Sequence, residues 1–251
     1  MIGIVGGVGP HAGLDLMRKV FDQSLAANDQ EHVDALLFSL PSSIVDRTEY
    51  LLGRVKENPG RAMAGILLRL EQAGATVAAI PCNTAHAAPI WDLIGKILQV
   101  RKSRIRLLHM IGETLSLMES RYPDLRRIGI LATTGTSRSG LYQQALIDKS
   151  YDPLLPPDDM QHELIHPAIY DPEYGIKSLS GRVHPRAMAS LREGFSSLAG
   201  QGAEAVILGC TEIPLAFPAP AEQGMICIDP AVALARALLR ESHPDKLKPL
   251  K

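Results

Sequence analysis

The 251-residue chain lacks several features that are typical of proteins that bind nucleic acids or membranes. Aromatic residues make up only 4% of it, too few for platforms that stack nucleic-acid bases. The formal net charge is −1, so no global field draws the protein towards polyanions or lipid surfaces. No apolar run reaches the ~18 residues of a membrane-spanning helix. We therefore expect neither a nucleic-acid partner nor a membrane partner.

Cysteine is also scarce, with three residues in the whole chain. An odd number without regular spacing does not suit a disulfide framework and fits a reducing compartment. The opening run MIGIVGGVGP has no basic segment before its apolar residues, so we interpret it as a first strand rather than a signal peptide. These observations predict a cytoplasmic protein.

Short apolar runs alternate with amphipathic stretches along most of the chain. MIGIVG, VDALLFSLP and ATVAAIP are typical of buried strands, and RIGILATTGT and AEAVILG repeat the pattern in the second half. The alternation predicts an α/β fold whose parallel sheets are covered on both faces. The segment 152–185, rich in proline and charge, is expected to be irregular. Cys227, in the late strand MICI, is expected to be a core residue.

The two halves of the chain also match each other. Residues 74–82 align with residues 202–210 without a gap, so that Cys82 falls on Cys210, and each cysteine ends an apolar strand. The strand-like run at the start has a counterpart at residues 128–131. This duplication predicts two pseudo-symmetric, Rossmann-like domains with parallel sheets.

Cys82 and Cys210 are the strongest candidates for chemistry. Ligands in parallel α/β folds bind beyond the carboxyl ends of the strands, where both cysteines are expected. The polar pairs Asn83–Thr84 and Thr211–Glu212 follow them as helix-starting residues, and a helix N-terminus should lower the pKa of each thiol. A single cysteine in such a place is usually core filler, whereas two in matching places indicate a pair of acid–base groups.

Other features predict carboxylate binding near these strand ends. The loop GVGPHA formally matches the G-x-G-x-x-A of dinucleotide sites, but the acidic residue expected ~20 positions later is missing, which favours a smaller anion. The matching loop ATTGTS offers the hydroxyls of Thr133, Thr134 and Thr136. Arg47 and Lys177 are expected in loops over the strand ends, where their charges can hold carboxylates.

Alternative sites are weaker. A zinc site of Cys82, His86, Cys210 and Glu212 would lack the usual local ligand pairs, and His86 is expected instead to line the site or orient a neighbour. A Ser-His-Asp site would lack its G-x-S-x-G elbow. A pyridoxal Schiff base would need a lysine in an apolar pocket, whereas Lys177 lies in a polar loop. We therefore expect no metal and no cofactor.

Taken in order, GGVGP, DRT, PCNTAH, LATTGT, GIK and LGCTEIP resemble the aspartate/glutamate racemase family, and its aspartate racemase branch most. The resemblance implies a cofactor-independent amino-acid racemase, usually a homodimer. It implies two α/β units that face each other with the substrate in the cleft between them. It also implies that the C-terminal strand and helix return to the first unit, which gives domains of residues 1–100 with 217–251 and of residues 101–216.

The resemblance assigns roles to the matched residues. Cys82 and Cys210 would be the two acid–base residues, one thiolate removing the α-proton and one thiol returning a proton to the opposite face. Gly13 departs from the family, which commonly has threonine there, so a hydroxyl contact is lost. The expected contacts to the substrate's amino and carboxylate groups are Arg47, Asn83, Thr84, Thr134, Thr136, Lys177 and Thr211.

Three alternatives to an aspartate racemase stay open. The first is a racemase of glutamate or of broad specificity. The second is a cysteine-dependent isomerase or decarboxylase of another small diacid. The third is a binding module without chemistry, which would have no need of paired thiols.

Overall fold

Two sheets, one in each of two units of the chain, organise the computed structural model, which describes residues 1–180 and 182–250. Unit 1 comprises Met1–Glu113 and Ala231–Lys251, and unit 2 comprises Thr114–Pro230. Segments with the apolar period of a strand alternate with segments that have the period of a helix, as the sequence pattern predicts. The first form the sheets, and the second cover the faces of the sheets.

The sheet of unit 1 has four parallel strands in the order β2-β1-β3-β4. Strand β1 lies centrally, with Ile2 paired to Ala35 on one side and to Val77 on the other. The strands are β1 Ile2–Gly6, β2 Ala35–Ser39, β3 Val77–Ala79 and β4 Arg106–Leu108.

The sheet of unit 2 has five strands in the order β6-β5-β7-β9-β8. The first four are parallel, and only the short edge strand β8 is antiparallel. The strands are β5 Arg127–Ala132, β6 Asp152–Leu154, β7 Ala205–Gly209, β8 Ala221–Glu222 and β9 Met225–Ile228.

The parallel strands of both units follow the same spatial order, second-first-third-fourth. The predicted α/β fold with two pseudo-symmetric parallel sheets is therefore confirmed. In this order the chain reverses its direction of travel between the first and third strands, which are β1 and β3 in unit 1 and β5 and β7 in unit 2. Open α/β sheets bind ligands at such a switch point, beyond the carboxyl ends of the strands.

Helices cover these sheets, and none of those described is long and apolar enough to cross a membrane. Those before residue 122 are α1 Pro10–Gln23, α2 Arg47–Leu51, α3 Gly60–Gln72, α4 Ala88–Val100 and α5 Met110–Arg121. Those after it are α6 Thr134–Arg138, α7 Leu141–Asp148, α8 Asp158–Met160, α9 His166–Tyr170, α10 Pro185–Gly200, α11 Ile213–Ala216 and α12 Pro230–Ser242.

The core of unit 1 has two layers. Helices α3 and α4 bury residues such as Leu67 and Ile94 in one apolar cluster that includes Val5. Helices α1 and α12 contribute Leu16 and Leu234 to a second cluster with Ile4. Val5 and Ile4 are successive in β1 and therefore point to opposite faces, so this sheet is buried on both sides.

The C-terminal segment divides differently from the expectation. We expected residues 217–251 to join the first unit, but β9 pairs with β7 of unit 2, with Val206 opposite Cys227. Of this segment, only the chain from Ala231 onwards belongs to unit 1. Strand β9 needs a neighbouring strand in register for its backbone hydrogen bonds. The helix that follows it needs only an apolar surface to pack against, and that surface can belong to the other unit. The boundary expected after residue 100 also differs, because β4 pairs with β3 and unit 1 continues to Glu113. Cys227 itself is half-buried rather than fully in the core.

The segment 152–185 is also more regular than expected. It begins with the edge strand β6, and residues 158–170 form one helical stretch in which a π-helical turn, Gln161–Ile165, joins α8 to α9. The prolines fit these elements: Pro153 lies in an edge strand, and Pro167 follows the widened turn.

Candidate active site

Cys82 lies just beyond β3, at the switch point of the unit 1 sheet. Its backbone is extended, and a 3-10 turn, Asn83–His86, begins at the next residue. The side chain is buried, with 7% of the residue exposed. Because β3 pairs with β1, the cysteine stands at the same sheet edge as the loop that follows β1.

The polar residues predicted near Cys82 are brought to one region. Asn83 and Thr84 are both buried in the 3-10 turn. Helix α2 contacts this turn and begins at Arg47, which is buried as well. Arg47 was expected in a loop, but Asp46 caps a short helix there by accepting a hydrogen bond from the Glu49 backbone N–H at 3.0 Å.

His86 belongs to a cluster of three rings behind the cysteine. Its Nδ1 lies 2.9 Å from the Cys82 carbonyl oxygen, its ring stacks on Trp91, and His109 meets it edge-on. Burial, and then the charge of His109, lower the pKa of His86 to about 3. A neutral imidazole therefore donates to the Cys82 carbonyl and supports this strand end.

Glycines let the opening loop and α1 approach the sheet closely. Gly7 has φ +88°, and a side chain there would meet the Pro41 backbone nitrogen at 2.7 Å. At Gly13, a Cβ would lie 2.8 Å from Leu37 Cδ1 and 3.3 Å from Gly6 Cα. The departure from threonine at this position therefore coincides with tight packing of α1 against β1 and β2.

Cys210 lies at the equivalent place in unit 2, just beyond β7, and is 6% exposed. Its thiol donates a hydrogen bond to Glu212 Oε2 at 3.0 Å, and the Thr211 hydroxyl donates to the same oxygen at 3.1 Å. Lys177 Nζ donates to Glu212 Oε1 at 2.5 Å. One buried carboxylate thus holds a thiol, a hydroxyl and an ammonium group.

The protonation state of Cys210 is the opposite of the one expected. Burial raises its pKa well above the ordinary value and the charge of Glu212 adds to the effect, whereas Lys177 opposes it. The sequence predicted a pKa lowered by a following helix. That prediction is wrong because α11 spans only four residues, and a carboxylate stands beside the sulfur. The resting form is the thiol.

Lys177 and Glu212 form a buried ion pair. Burial lowers the pKa of Lys177, but Glu212 outweighs it and leaves the pKa raised. Burial likewise raises the pKa of Glu212, but Lys177 and the hydrogen bonds to the carboxylate leave it lowered. Both groups are therefore charged, and Lys177, expected as a free cation for substrate, is balanced within the chain. The sequence analysis treated Glu212 as a helix-starting residue and as a weak candidate metal ligand, and did not predict its ion pair with Lys177.

The hydroxyls of the ATTGTS segment surround the start of α6. Thr133 caps this helix by accepting a hydrogen bond from the Thr136 backbone N–H at 3.3 Å. Thr134 and Thr136 are buried beside it. Ala132, the last residue of β5, pairs with Gly209, so this helix start and Cys210 occupy one sheet edge. Among the described residues, no three His, Cys, Asp or Glu side chains are grouped as a metal site requires.

Two relatives in sequence are both racemases, but their names give different substrates. Residues 5–238 match the Asp/Glu/hydantoin racemase family. The chain is 30% identical over 150 residues to the broad specificity amino-acid racemase RacX of Bacillus subtilis (strain 168), covering 58% of this chain and 60% of that protein. It is 30% identical over 174 residues to a glutamate racemase of Pseudomonas aeruginosa (strain UCBPP-PA14), covering 68% of this chain and 59% of that protein. The chain thus spans about 60% of these relatives.

Among solved structures, an aspartate racemase of Picrophilus torridus is similar over nearly the whole length. It has a TM-score of 0.76 and 26% sequence identity, with 98% of this chain and 95% of that chain covered. The match extends across both units, so the shared fold includes the duplication of the sheets.

Proposed function

Because the chain belongs to the Asp/Glu/hydantoin racemase family, we propose that it interconverts L- and D-aspartate by cofactor-independent, two-base proton transfer. One observation carries the proposal: each of the two duplicated sheets ends its third strand in a buried cysteine at the switch point, Cys82 after β3 and Cys210 after β7. A reaction that inverts one carbon needs two similar groups, one for each face.

In this proposal the two cysteines act on opposite faces of the substrate's α-carbon. The thiolate of one cysteine removes the α-proton, and the electron pair of the broken Cα–H bond moves into the α-carboxylate. The thiol of the other cysteine then donates its proton to the opposite face of the carbon. The proton has in effect moved from one sulfur to the other, and the roles exchange for the opposite enantiomer. A thiol with an ordinary pKa of ~8.5 is suited to such transfer near neutral pH.

The α-proton of an amino acid is only weakly acidic, so the site must stabilise the carbanion. In this proposal oriented dipoles and the exclusion of water do so. The buried hydroxyls and amide beside the cysteines support this part of the proposal. They belong to Asn83, Thr84, Thr134, Thr136 and Thr211.

Glu212 makes the two cysteines unequal partners. Since the pKa of Cys210 is raised by burial and by the Glu212 carboxylate, we assign Cys210 as the proton donor of the resting enzyme and Cys82 as the first base. The direction that uses Cys210 as base then first requires its proton to leave a buried thiol beside a carboxylate.

A preference for acidic substrates rests on Arg47 and Lys177. We assign Arg47, buried at the start of α2, as the main clamp for the side-chain carboxylate, and Lys177, held by Glu212, as a second positive charge. Similarity to the Picrophilus torridus aspartate racemase supports aspartate. The same pairing of Lys177, together with the similarity to RacX, favours a second candidate, a racemase of broad specificity.

The test is solvent-deuterium incorporation at Cα over a panel of L- and D-amino acids without added cofactor. We expect both enantiomers of aspartate to exchange fastest, and Cys82→Ser and Cys210→Ser each to abolish racemisation. Full activity in either variant would remove the two-base mechanism. Faster exchange of neutral amino acids would favour the broad-specificity candidate. No exchange of any amino acid would contradict the racemase and leave a binding module or an enzyme of another small diacid.

We also propose that the enzyme is a homodimer that acts in the cytoplasm. The homodimer rests on the family resemblance. The cytoplasm rests on the scarcity of cysteine, whose three residues are all free thiols in the structure.

A further inference from the structure

Gln161 is a buried side chain in unit 2 to which the sequence assigned no role. Its Nε2 donates a hydrogen bond to the Ala132 carbonyl oxygen at 3.1 Å and lies 3.5 Å from Thr134 Oγ1. Only 5% of the residue is exposed. Its Oε1 is buried and accepts no hydrogen bond from any residue that the structure describes.

The orientation of this amide is determined by its surroundings. The contact with Ala132 requires a donor, because a carbonyl oxygen can only accept. Rotating the amide by half a turn would place two oxygens together, so Oε1 must face away from Ala132. A buried acceptor without a donor is unfavourable and rare in native proteins, and it calls for an explanation.

The position of Gln161 supplies that explanation. It is the first residue of the π-helical turn that joins α8 to α9, and such turns are frequent at functional sites. Its side chain is hydrogen-bonded to Ala132 in β5, and Ala132 lies opposite Gly209 of β7, the residue before Cys210. Gln161 therefore reaches the same sheet edge as Cys210 and Thr134.

We propose that Gln161 Oε1 accepts a hydrogen bond from the α-ammonium group of the amino-acid substrate, an inference that rests on the proposed function. An amide oxygen suits an ammonium group and not a carboxylate, because it can accept but not donate. A neutral acceptor also leaves the ammonium protonated, and its positive charge stabilises the carbanion formed at the neighbouring carbon. Gln161 would thus distinguish amino acids from other diacids.

The experiment compares two ligands by calorimetry: L-aspartate, and succinate, which has both carboxylates but no amino group. In Gln161→Leu we expect the Kd for aspartate to rise about 10- to 100-fold, the range for losing one hydrogen bond to a charged group. The Kd for succinate should change less than ~3-fold, since neither carboxylate loses a partner. Gln161→Met retains the side-chain length and serves if the leucine variant does not fold.

Gln201→Leu is the matched control. Gln201 also donates its Nε2 to a backbone carbonyl, that of Leu155 at 3.0 Å. It follows α10, near the amino end of β7 and away from the candidate site. Binding of both ligands should stay unchanged in this variant.

Two outcomes would overturn the proposal: equal weakening of aspartate and succinate, which indicates a structural role, or unchanged binding of both. Failure of the proposed function has a different signature. If the unaltered protein binds aspartate with a preference that depends on Gln161 but exchanges no α-proton, racemisation is wrong and the assignment of Gln161 stands.

Discussion

At the scale of single residues, Glu212 changes the view of the candidate site most. The duplication alone suggests two equivalent thiols, but Glu212 accepts hydrogen bonds from Cys210 and Thr211 and pairs with Lys177. At the matching place after Cys82 stands Thr84, a neutral hydroxyl. The environments of the two sulfurs therefore differ in charge, although their strand ends match.

Removing the charge of Glu212 should lower the pKa of Cys210. In Glu212→Gln the carboxylate no longer opposes the thiolate, and Lys177 is left to favour it. At any given alkaline pH of the titration, we expect a larger fraction of Cys210 to be thiolate in this variant than in the background protein. The measurement is thiolate ultraviolet absorbance against pH in a Cys82→Ala, Cys227→Ala background, where Cys210 is the remaining cysteine.

The control for this titration is Glu193→Gln, which removes an exposed carboxylate from the same unit. Its titration curve should match that of the background protein. A Cys210 pKa that is unchanged or higher in Glu212→Gln would show that Glu212 does not set the protonation of the thiol.

At the scale of elements, short irregular pieces carry the candidate residues. The 3-10 turn after β3, the four-residue helix α11 and the π-helical turn all fall where long periodic patterns are missing. Such pieces have weak sequence signals, because one turn of helix offers no repeat to recognise. Proline in the segment 152–185 suggested a loop, yet an edge strand accepts Pro153, and Pro167 lies in the first turn of α9, just after the widened turn.

Gly13 gives a prediction for helix α1. Gly13→Thr should lower the free energy of unfolding by about 1–3 kcal/mol, the usual effect of overpacking, since its Cβ would press on Leu37 and Gly6. Urea unfolding measures the change. The matched control is Gly95→Thr in α4, where a Cβ meets nothing within 4 Å and the better helix propensity of threonine should be neutral or stabilising. Equal effects at both positions would refute the packing explanation.

At the scale of the whole molecule, the duplication extends to the strand order of the two sheets. Both run second-first-third-fourth, and each places a cysteine after its third strand. The copies are not identical, because unit 2 adds the antiparallel β8 and unit 1 receives α12 from the C-terminal end of the chain. The two units therefore match closely at the switch points of their sheets and differ at the edges.

The proposed homodimer predicts a mass in solution of twice the 27.2 kDa of one chain. Light scattering on the eluate of a sizing column measures it directly, and a dilution series shows whether the assembly is tight. The mass of a single chain at every concentration would contradict the homodimer and leave the proposed chemistry to be judged by the exchange experiment.

The sequence by itself determined the α/β class, the duplication and the placing of Cys82 and Cys210 at strand ends, because these depend on local periodicity and on short motifs. Only the tertiary structure decided that β9 joins the second sheet, that Gly13 packs against Leu37, and that Lys177 pairs with Glu212. Each of these depends on the register between segments far apart in the chain, which local patterns do not specify. The same holds for Gln161, whose unpaired oxygen is recognisable only once Ala132 is beside it.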